Sequence, residues 1–127
     1  MLSYEELTEM AKAAGKKLRV RTPRNLRVRA LLKSCPSYWA AHNHSRKQDP
    51  HYGRICVIDA VLSIPREQAE MIMLHEVLHY KIHNHTERFW YVQDGFVPIA
   101  EYDALVSRLN LIAKLSTRTA SLLRTYT

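Results

Sequence analysis

The sequence predicts an α+β domain in which about three strands form a small mixed sheet packed on a helix that carries polar, chemically active residues. Three observations lead to this prediction. The β-branched segment at residues 55–59 follows a polar loop and is typical of a buried strand. The apolar stretch after Pro65 contains His75-Glu76-x-x-His79 at helical spacing. The segments at the N-terminal and C-terminal ends have helical composition.

The N-terminal part of the chain is predicted to begin with a helix. Ser3 followed by Glu6 forms a capping box, and residues 4–14 have helical composition. Gly15 is a typical C-terminal stop, so we expect the helix to end there. Residues 17–22 alternate between basic and apolar side chains, which predicts a first strand directly after the helix.

The middle of the chain is predicted to supply the rest of the sheet. After Pro23, residues 25–33 fit either a short helix or a strand. Residues 37–43 are rich in aromatic residues and alanine, and we expect a second strand there. The polar segment at residues 44–52 contains an Asp-Pro turn signal and is predicted to be the loop that leads to the strand at 55–59.

The second half of the chain is predicted to be helical. Ser63-Ile64-Pro65 begins the helix that carries the histidines, because proline is tolerated in the first turn, and the pattern continues to about His83. Thr86 begins a further helix, in which we expect Phe89 and Trp90 to pack beneath the histidines rather than to contact a substrate.

A last helix is predicted at residues 100–115, after a break marked by a glycine and a proline. Leu105, Leu109, Ile112 and Leu115 recur in it at helical spacing. We expect this stripe to pack into the core rather than to bind a partner helix.

Length and composition indicate one domain over residues 1–127 and exclude several classes of protein. A hydrophobic fraction of 46% can fill a modest core, and no apolar run approaches the ~20 residues of a membrane span. The first residues are acidic rather than basic, which argues against a signal peptide. We therefore expect a cytoplasmic monomer without a membrane partner.

The two cysteines, Cys35 and Cys56, are predicted to be reduced core thiols on adjacent strands. A disulfide and a metal-binding role are the two alternatives. His42, His44 and His51 lie in or near the polar loop, where we expect solvent-exposed side chains and no second metal site.

The net charge of +7 is unevenly distributed. Residues 10–48 contain eleven lysines and arginines and no acidic residue, and residues 104–127 are also basic without an acid. Such asymmetry favours acidic partners, including nucleic acid. The other interpretation is a solvated sheet face, because the arginines of Arg19-Val20-Arg21 and Arg27-Val28-Arg29 alternate with valine.

The motif His75-Glu76-x-x-His79 is the most informative feature of the chain. Histidines four apart on a helix lie roughly 40° apart around the axis and about 6 Å apart along it. Both imidazoles can therefore reach one zinc ion at about 2.0–2.1 Å. Glu76 lies between them, where it can take a proton from a metal-bound water.

A catalytic zinc site has three protein ligands and one open position. His85 is the preferred third ligand, because Asn84 is a helix-ending residue and a chain reversal there would return His85 to the metal. His83 is an alternative, although one further helical turn, about 6 Å, separates it from the ion. Glu101 is a second alternative, because Glu101-Tyr102-Asp103-Ala104 weakly resembles the second helix of glutamate-type zincins, which would imply a latent enzyme of that type.

From Pro65 to Trp90 the chain resembles the zincin-like zinc metallopeptidases of the YgjP/WLM and SprT-like group. The matching string is His75-Glu76-x-x-His79-x-x-x-x-Asn84-His85-x-x-Arg88-Phe89-Trp90. Residues 53–59 are similar to the strand that precedes the helix with the histidines in those proteins, whereas residues 33–39 match their preceding strand poorly. The likeness covers roughly residues 33–92.

The resemblance implies a minimal zincin-like domain with one catalytic Zn²⁺. It implies that His75, His79 and His85 are the metal ligands and that Glu76 is the general base for hydrolysis of peptide bonds in a protein or peptide substrate. It also implies that residues 38–41 could pair with an extended peptide at the rim of the cleft.

Three further points remain open in the sequence. Tyr91, Tyr102 and His83 are unranked candidates for stabilising the oxyanion. A basic nucleic-acid-binding module with a structural or vestigial zinc site is the rival function, and the base Glu76 argues against it. A peptidase kept latent by its own C-terminal segment is a third possibility.

Overall fold

The computed structural model describes residues 1–36 and 39–126 of the chain, with side chains to residue 116. Four α-helices, a short 3₁₀ helix and three strands make up the described part. In chain order they are α1 (Tyr4–Leu18), β1 (Arg27–Ala30), β2 (Ala41–Asn43), β3 (Arg54–Val57), the 3₁₀ helix (Asp59–Ser63), α2 (Arg66–Leu78), α3 (Glu87–Asp94) and α4 (Ile99–Tyr126).

The predicted α+β class and the three-stranded mixed sheet are confirmed. The strand order is β1-β3-β2, in which β1 runs parallel to β3 and β2 runs antiparallel to it. In this register Val28 lies beside Ile55, and both are fully buried. The central strand β3 is therefore sheltered, while β2 forms one edge of the sheet.

Helix α1 begins as predicted but ends later. The Ser3 and Glu6 side chains form both hydrogen bonds of the capping box. Gly15 does not stop the helix, which continues to Leu18 and is capped by Arg19 in the left-handed conformation. Gly15 is buried, and a Cβ on it would lie 2.7 Å from the Thr22 Cγ2 atom, so the glycine allows the returning chain to approach the helix closely.

The predicted first strand at residues 17–22 is wrong. Its first residues belong to α1, and the rest is irregular. The alternation persists, since Val20 is buried between exposed arginines, but here it marks a segment lying on a helix rather than a strand. The ambiguous segment 25–33 contains β1.

The other two strands are shorter than predicted. Strand β2 covers only the end of the predicted 37–43 segment, of which residues 37 and 38 lie outside the described part of the chain. Strand β3 begins one residue before the predicted 55–59 segment and ends two residues before its end, because the chain turns into the 3₁₀ helix.

Helix α2 lies at the centre of the molecule and packs mainly against α1. It begins after Pro65, as predicted, and ends at Leu78 instead of His83. Its last residues are buried on nearly every side, and Met73, Val77 and Leu78 are fully buried. The helix is therefore a rigid support for the polar residues in its final turn.

Helices α3 and α4 close the remaining side of α2. Thr86 caps α3 as predicted, and its side chain accepts a hydrogen bond from the Phe89 N–H. Helix α4 is longer than predicted, and of its apolar stripe Leu105 and Leu109 are buried while Ile112 and Leu115 are exposed. In the described residues no helix is both long and apolar enough to cross a membrane.

Candidate metal centre

His75 and His79 face the same cavity because they are four residues apart at the end of α2. Both side chains are buried, at 4% and 9% exposure. The predicted helix beyond His79 is replaced by a tight turn in which the Tyr80 and Lys81 N–H groups donate to Val77 and Leu78. Because α2 ends at Leu78 and not near His83, the chain turns back more than one helical turn earlier than the sequence predicts.

The imidazole of His79 holds this turn together. Its Nδ1 atom lies 3.2 Å from the Ile82 carbonyl oxygen and 3.0 Å from the His83 carbonyl oxygen. A carbonyl can only accept, so Nδ1 carries the proton and donates. The Nε2 atom of neutral His79 is therefore left with a free lone pair.

His75 is oriented in the same way by a residue that the sequence analysis missed. Its Nδ1 atom lies 2.6 Å from the Oε1 atom of Gln93, a fully buried side chain on α3. Donation from Nδ1 leaves Nε2 unprotonated in the neutral ring. No local pattern marks Gln93, because its partner is 18 residues away and on another helix.

His85 completes the group from the opposite side. It immediately precedes the Thr86 cap of α3, and its Nε2 atom lies 3.2 Å from that of His75. One ligand atom from each of His75, His79 and His85 lies within 4.8 Å of the other two. His85 is exposed, so the group is open to solvent on one side.

The donor set fits a zinc ion. Two imidazole nitrogens on one tetrahedral zinc ion at 2.0–2.1 Å lie about 3.3 Å apart, close to the spacing of His75 and His85. Burial, with smaller contributions from the other histidines, lowers the pKa of His75 to about 3 and that of His79 to about 4. The rings are thus neutral near pH 7, as metal ligands must be.

Glu76 lies beside the histidines in the last turn of α2. It is 6% exposed, and burial raises the pKa of its carboxyl group to about 8. Its backbone carbonyl accepts a hydrogen bond from the Asn43 side-chain amide, which ties β2 to the end of α2. A strongly shifted carboxyl group in a cleft is typical of a functional site.

Aromatic rings surround the three histidines. The Phe89 ring stacks on His79, with centroids 4.5 Å apart, and the Trp90 ring stacks on His85 at 5.1 Å. Neither aromatic residue lines the cleft, in agreement with their predicted packing role. On the other side, the buried Tyr102 ring stacks on His75 at 4.5 Å, with 14° between the planes.

A cleft of about 690 Å³ lies over the histidines and Glu76. One wall is β2 with its flanking residues, and the opposite wall is α4. The two walls are joined where the Ala40 N–H donates to the Asn110 side chain at 2.7 Å. The wall residues are Trp39, Ala40, Ala41, His42, Asn43, Ser45, Arg46, Gln48 and Asp49 on the first side and Tyr102, Val106 and Asn110 on the second.

The alternative third ligands are not part of this group. Glu101 is exposed and lies outside both the cleft lining and the histidine group. His83 lines the cleft but contributes its backbone carbonyl, to His79, rather than a ring nitrogen. Among the oxyanion candidates, Tyr102 lines the cleft, whereas Tyr91 is 83% exposed and does not.

The prediction for the loop histidines is wrong. His44 is buried at 6% exposure, and His42 and His51 are half-buried around it. His44 lies with Cys35 and Cys56 in a second group whose ligand atoms are all within 4.8 Å of one another, while the expectation of no second metal site stays a prediction. Both cysteines are free and buried as predicted, but Cys35 lies in a turn and not on a strand.

Comparisons with known proteins identify the family and the fold of the chain. The YgjP-like metallopeptidase domain family matches residues 5–110, and the chain belongs to this family. The fold is similar to that of the metallopeptidase zymogen of Pyrococcus abyssi abylysin, with a TM-score of 0.60 and 24% identity, over 87% of this chain and 95% of that one. None of the curated proteins compared with the chain matches it. The predicted YgjP-like membership is therefore confirmed.

Proposed function

We propose that this YgjP-like domain is a zinc-dependent endopeptidase in which His75, His79 and His85 hold one zinc ion. The observation that carries the proposal is the convergence of three neutral imidazoles beside the buried carboxyl group of Glu76, at the floor of an open cleft. Three protein ligands with one open side are the arrangement of catalytic zinc.

Hydrogen bonds already orient the rings of two of the histidines that would hold the metal. Donation from Nδ1 of His75 to Gln93, and from Nδ1 of His79 to two carbonyls, fixes each ring with its Nε2 lone pair available. When bound, zinc would lower the pKa of a coordinated water and polarise the scissile carbonyl.

Glu76 is the proposed general base. Its raised pKa reflects burial, and a cation held by the adjacent histidines would favour the charged carboxylate. The carboxylate would then accept the proton of the attacking water and donate it to the leaving amine. Tyr102 is the best placed of the oxyanion candidates, because it is the one tyrosine among them that lines the cleft.

An extended peptide is the proposed substrate, bound along the outer edge of β2. The main-chain groups of His44 are directed toward β3, since it donates to Arg54 and accepts from Gly53. Alternation along an antiparallel strand then directs the N–H and C=O groups of Ala41 and Asn43 outward. These groups border the cleft, and a substrate strand could pair with them.

Glu76→Gln tests the proposal, because it keeps the shape of the side chain and removes the base. We expect the variant to retain the zinc content of the wild type. Its rate of hydrolysis of unfolded casein should be ~10²–10⁴-fold lower. Glu70→Gln is the matched control, since Glu70 is on the same helix but exposed, and it should leave the rate unchanged. Equal rates for Glu76→Gln and the wild type would refute the role of Glu76.

We also propose that the domain acts in the cytoplasm and that nucleic acid is an additional partner. Arg19, Arg21 and Arg29 are exposed near one another in sequence, and a charged surface of this kind favours phosphates. Two results together would favour the rival function as a nucleic-acid-binding module. The Glu76→Gln variant would bind double-stranded DNA with an affinity that falls steeply with salt, and the wild type would show no peptidase activity.

A further inference from the structure

Cys35, His44 and Cys56 lie together beside the central strand β3, outside the main hydrophobic core. Side chains alternate along β3, so Cys56 points away from the face on which Ile55 and Val57 join the helical core. His44 follows β2, and Cys35 lies in the turn that precedes that strand. Their side chains are nevertheless buried, with exposures of 8%, 6% and 0% in chain order.

The two nitrogen-to-sulfur distances in this cluster match those around a single tetrahedral ion. The His44 Nε2 atom lies 3.5 Å from Cys35 Sγ and 3.6 Å from Cys56 Sγ. A thiolate at about 2.3 Å and an imidazole at 2.0–2.1 Å from one zinc ion are separated by about 3.6 Å. The two sulfurs are not bonded to each other.

A carboxylate orients the imidazole toward the sulfurs. The His44 Nδ1 atom lies 2.7 Å from Asp49 Oδ2, and the other Asp49 oxygen accepts a hydrogen bond from the His51 backbone N–H. Metal-bound histidines commonly donate their second ring N–H to a carboxylate in this way. The arrangement leaves His44 Nε2 directed at the two cysteines.

We propose that Cys35, His44 and Cys56 are the protein ligands of a second metal ion, Zn²⁺, with a water molecule in the fourth tetrahedral position. Its role is structural, because all three ligands are buried and none lines the cleft. Two thiolates balance the two positive charges of the ion, so the site is neutral overall and can be buried, and two thiol protons are released when the metal binds. Tetrahedral sites with sulfur and nitrogen donors select zinc. The Arg54 Nε–H donates to Cys56 Sγ at 3.2 Å, so a cationic side chain lies beside one of the two sulfurs.

The second ion would fasten the rim of the cleft. His44 lies between β2 and the loop that contributes Arg46 and Asp49 to the cleft wall. Strand β2 is only three residues long and lies at the edge of the sheet. A metal ion would link Cys35 before β2, His44 directly after β2 and Cys56 on the central strand β3. It would therefore hold in place the sheet edge to which the substrate is proposed to bind.

Cobalt substitution separates this site from the histidine site. Cobalt bound by thiolates has a sulfur-to-metal charge-transfer absorption in the near ultraviolet, which three histidines do not produce. We expect reduced wild-type protein to bind about two cobalt or zinc ions per chain and to show this absorption. His85→Ala should bind one ion and keep the absorption, whereas Cys56→Ser should bind one ion and lose it.

Wild-type protein alone also tests the proposal, in case the serine variant does not fold. Both cysteines are buried, so iodoacetamide should react with them slowly even without metal, and zinc should slow the reaction further relative to chelator-treated protein under native conditions. Three outcomes would overturn the proposed second metal site. They are a single bound ion per chain that is lost in His85→Ala, the absence of the charge-transfer absorption, and a Cys35–Cys56 disulfide in protein saturated with zinc. Because the readout is thiolate ligation, failure of the proposed peptidase activity would leave the result unaffected.

Discussion

The histidine group of α2 and the cysteine–histidine group beside β3 each gather three potential ligands, but their surroundings differ. The first includes the exposed His85, opens into a cleft and has the carboxyl group of Glu76 beside it. The second is buried at every ligand and contains two sulfurs. The comparison shows that two groups of equal size can differ in solvent access and in the chemistry of their donor atoms, and the two proposed roles depend on these differences.

We call the group of His75, His79 and His85 the open site and the group of Cys35, His44 and Cys56 the closed site. The largest expected effect is a loss of folding stability at alkaline pH, caused by Glu76 in the metal-free open site. The folded-state pKa of Glu76, about 8, lies above its ordinary value of 4.5, so between these values the folded chain binds more protons than the unfolded chain. Stability is therefore lost as the pH rises through this window. A glutamine side chain cannot ionise, so Glu76→Gln should be more stable than the wild type at alkaline pH in the presence of a chelator.

The expected difference in the free energy of unfolding is roughly 2–5 kcal/mol at pH 8.5 and about 1 kcal/mol at pH 5, from the size of the shift. Urea titrations of both proteins in chelator at the two pH values measure it. A difference that does not grow with pH would show that the Glu76 carboxyl group is not held in a desolvated site.

Tyr102→Phe tests how far α4 takes part in the chemistry of the open site. The substitution keeps the ring that stacks on His75 and removes the hydroxyl. If the hydroxyl stabilises the oxyanion, kcat should fall about 10²-fold with little change in KM. Tyr91→Phe is the control, because Tyr91 is exposed outside the cleft, and an equal fall in both variants would exclude this role.

The side chains that orient His75 and His44 give the next comparison. Gln93 accepts from His75 in the open site, and Asp49 occupies the same position relative to His44 in the closed site. Gln93→Leu should weaken zinc binding at the open site by ~10–100-fold and leave the cobalt–thiolate absorption unchanged. Competition with a zinc-sensitive dye measures the affinity, and weakening of both sites would contradict their independence.

Asp49→Asn should have the converse effect. The asparagine amide oxygen can still accept a hydrogen bond from His44 but carries no charge. The closed site should therefore bind metal ~10-fold or more weakly, while the open site retains its zinc. Cobalt titration followed through the thiolate absorption measures this loss. An unchanged titration would show that Asp49 does not orient a metal ligand.

The open site could be predicted from the sequence to a large extent because its signals are local. His75 and His79 share one helical face, and Asn84 precedes His85 at the chain reversal. The capping box at Ser3 is also a contiguous signal. The orienting residue Gln93 carried no such signal, since tertiary packing of α3 on α2 places it.

The errors arose where tertiary contacts override local patterns. Gly15 resembles a helix stop, but its missing side chain serves a close approach of Thr22. His44 lies in a polar segment typical of an exposed loop, yet residues nine and twelve positions away in sequence bury it. Spacing along the chain does not reveal a cluster built from a turn, a strand end and a central strand.

The zinc content of His85→Ala, measured by elemental mass spectrometry beside that of the wild type, tests the open site most directly. His85 is exposed, so its loss should leave the fold intact. We expect the variant to contain one zinc ion fewer per chain than the wild type and to have no peptidase activity. An unchanged zinc content with undiminished hydrolysis would contradict the assignment of the three histidines as the catalytic metal centre.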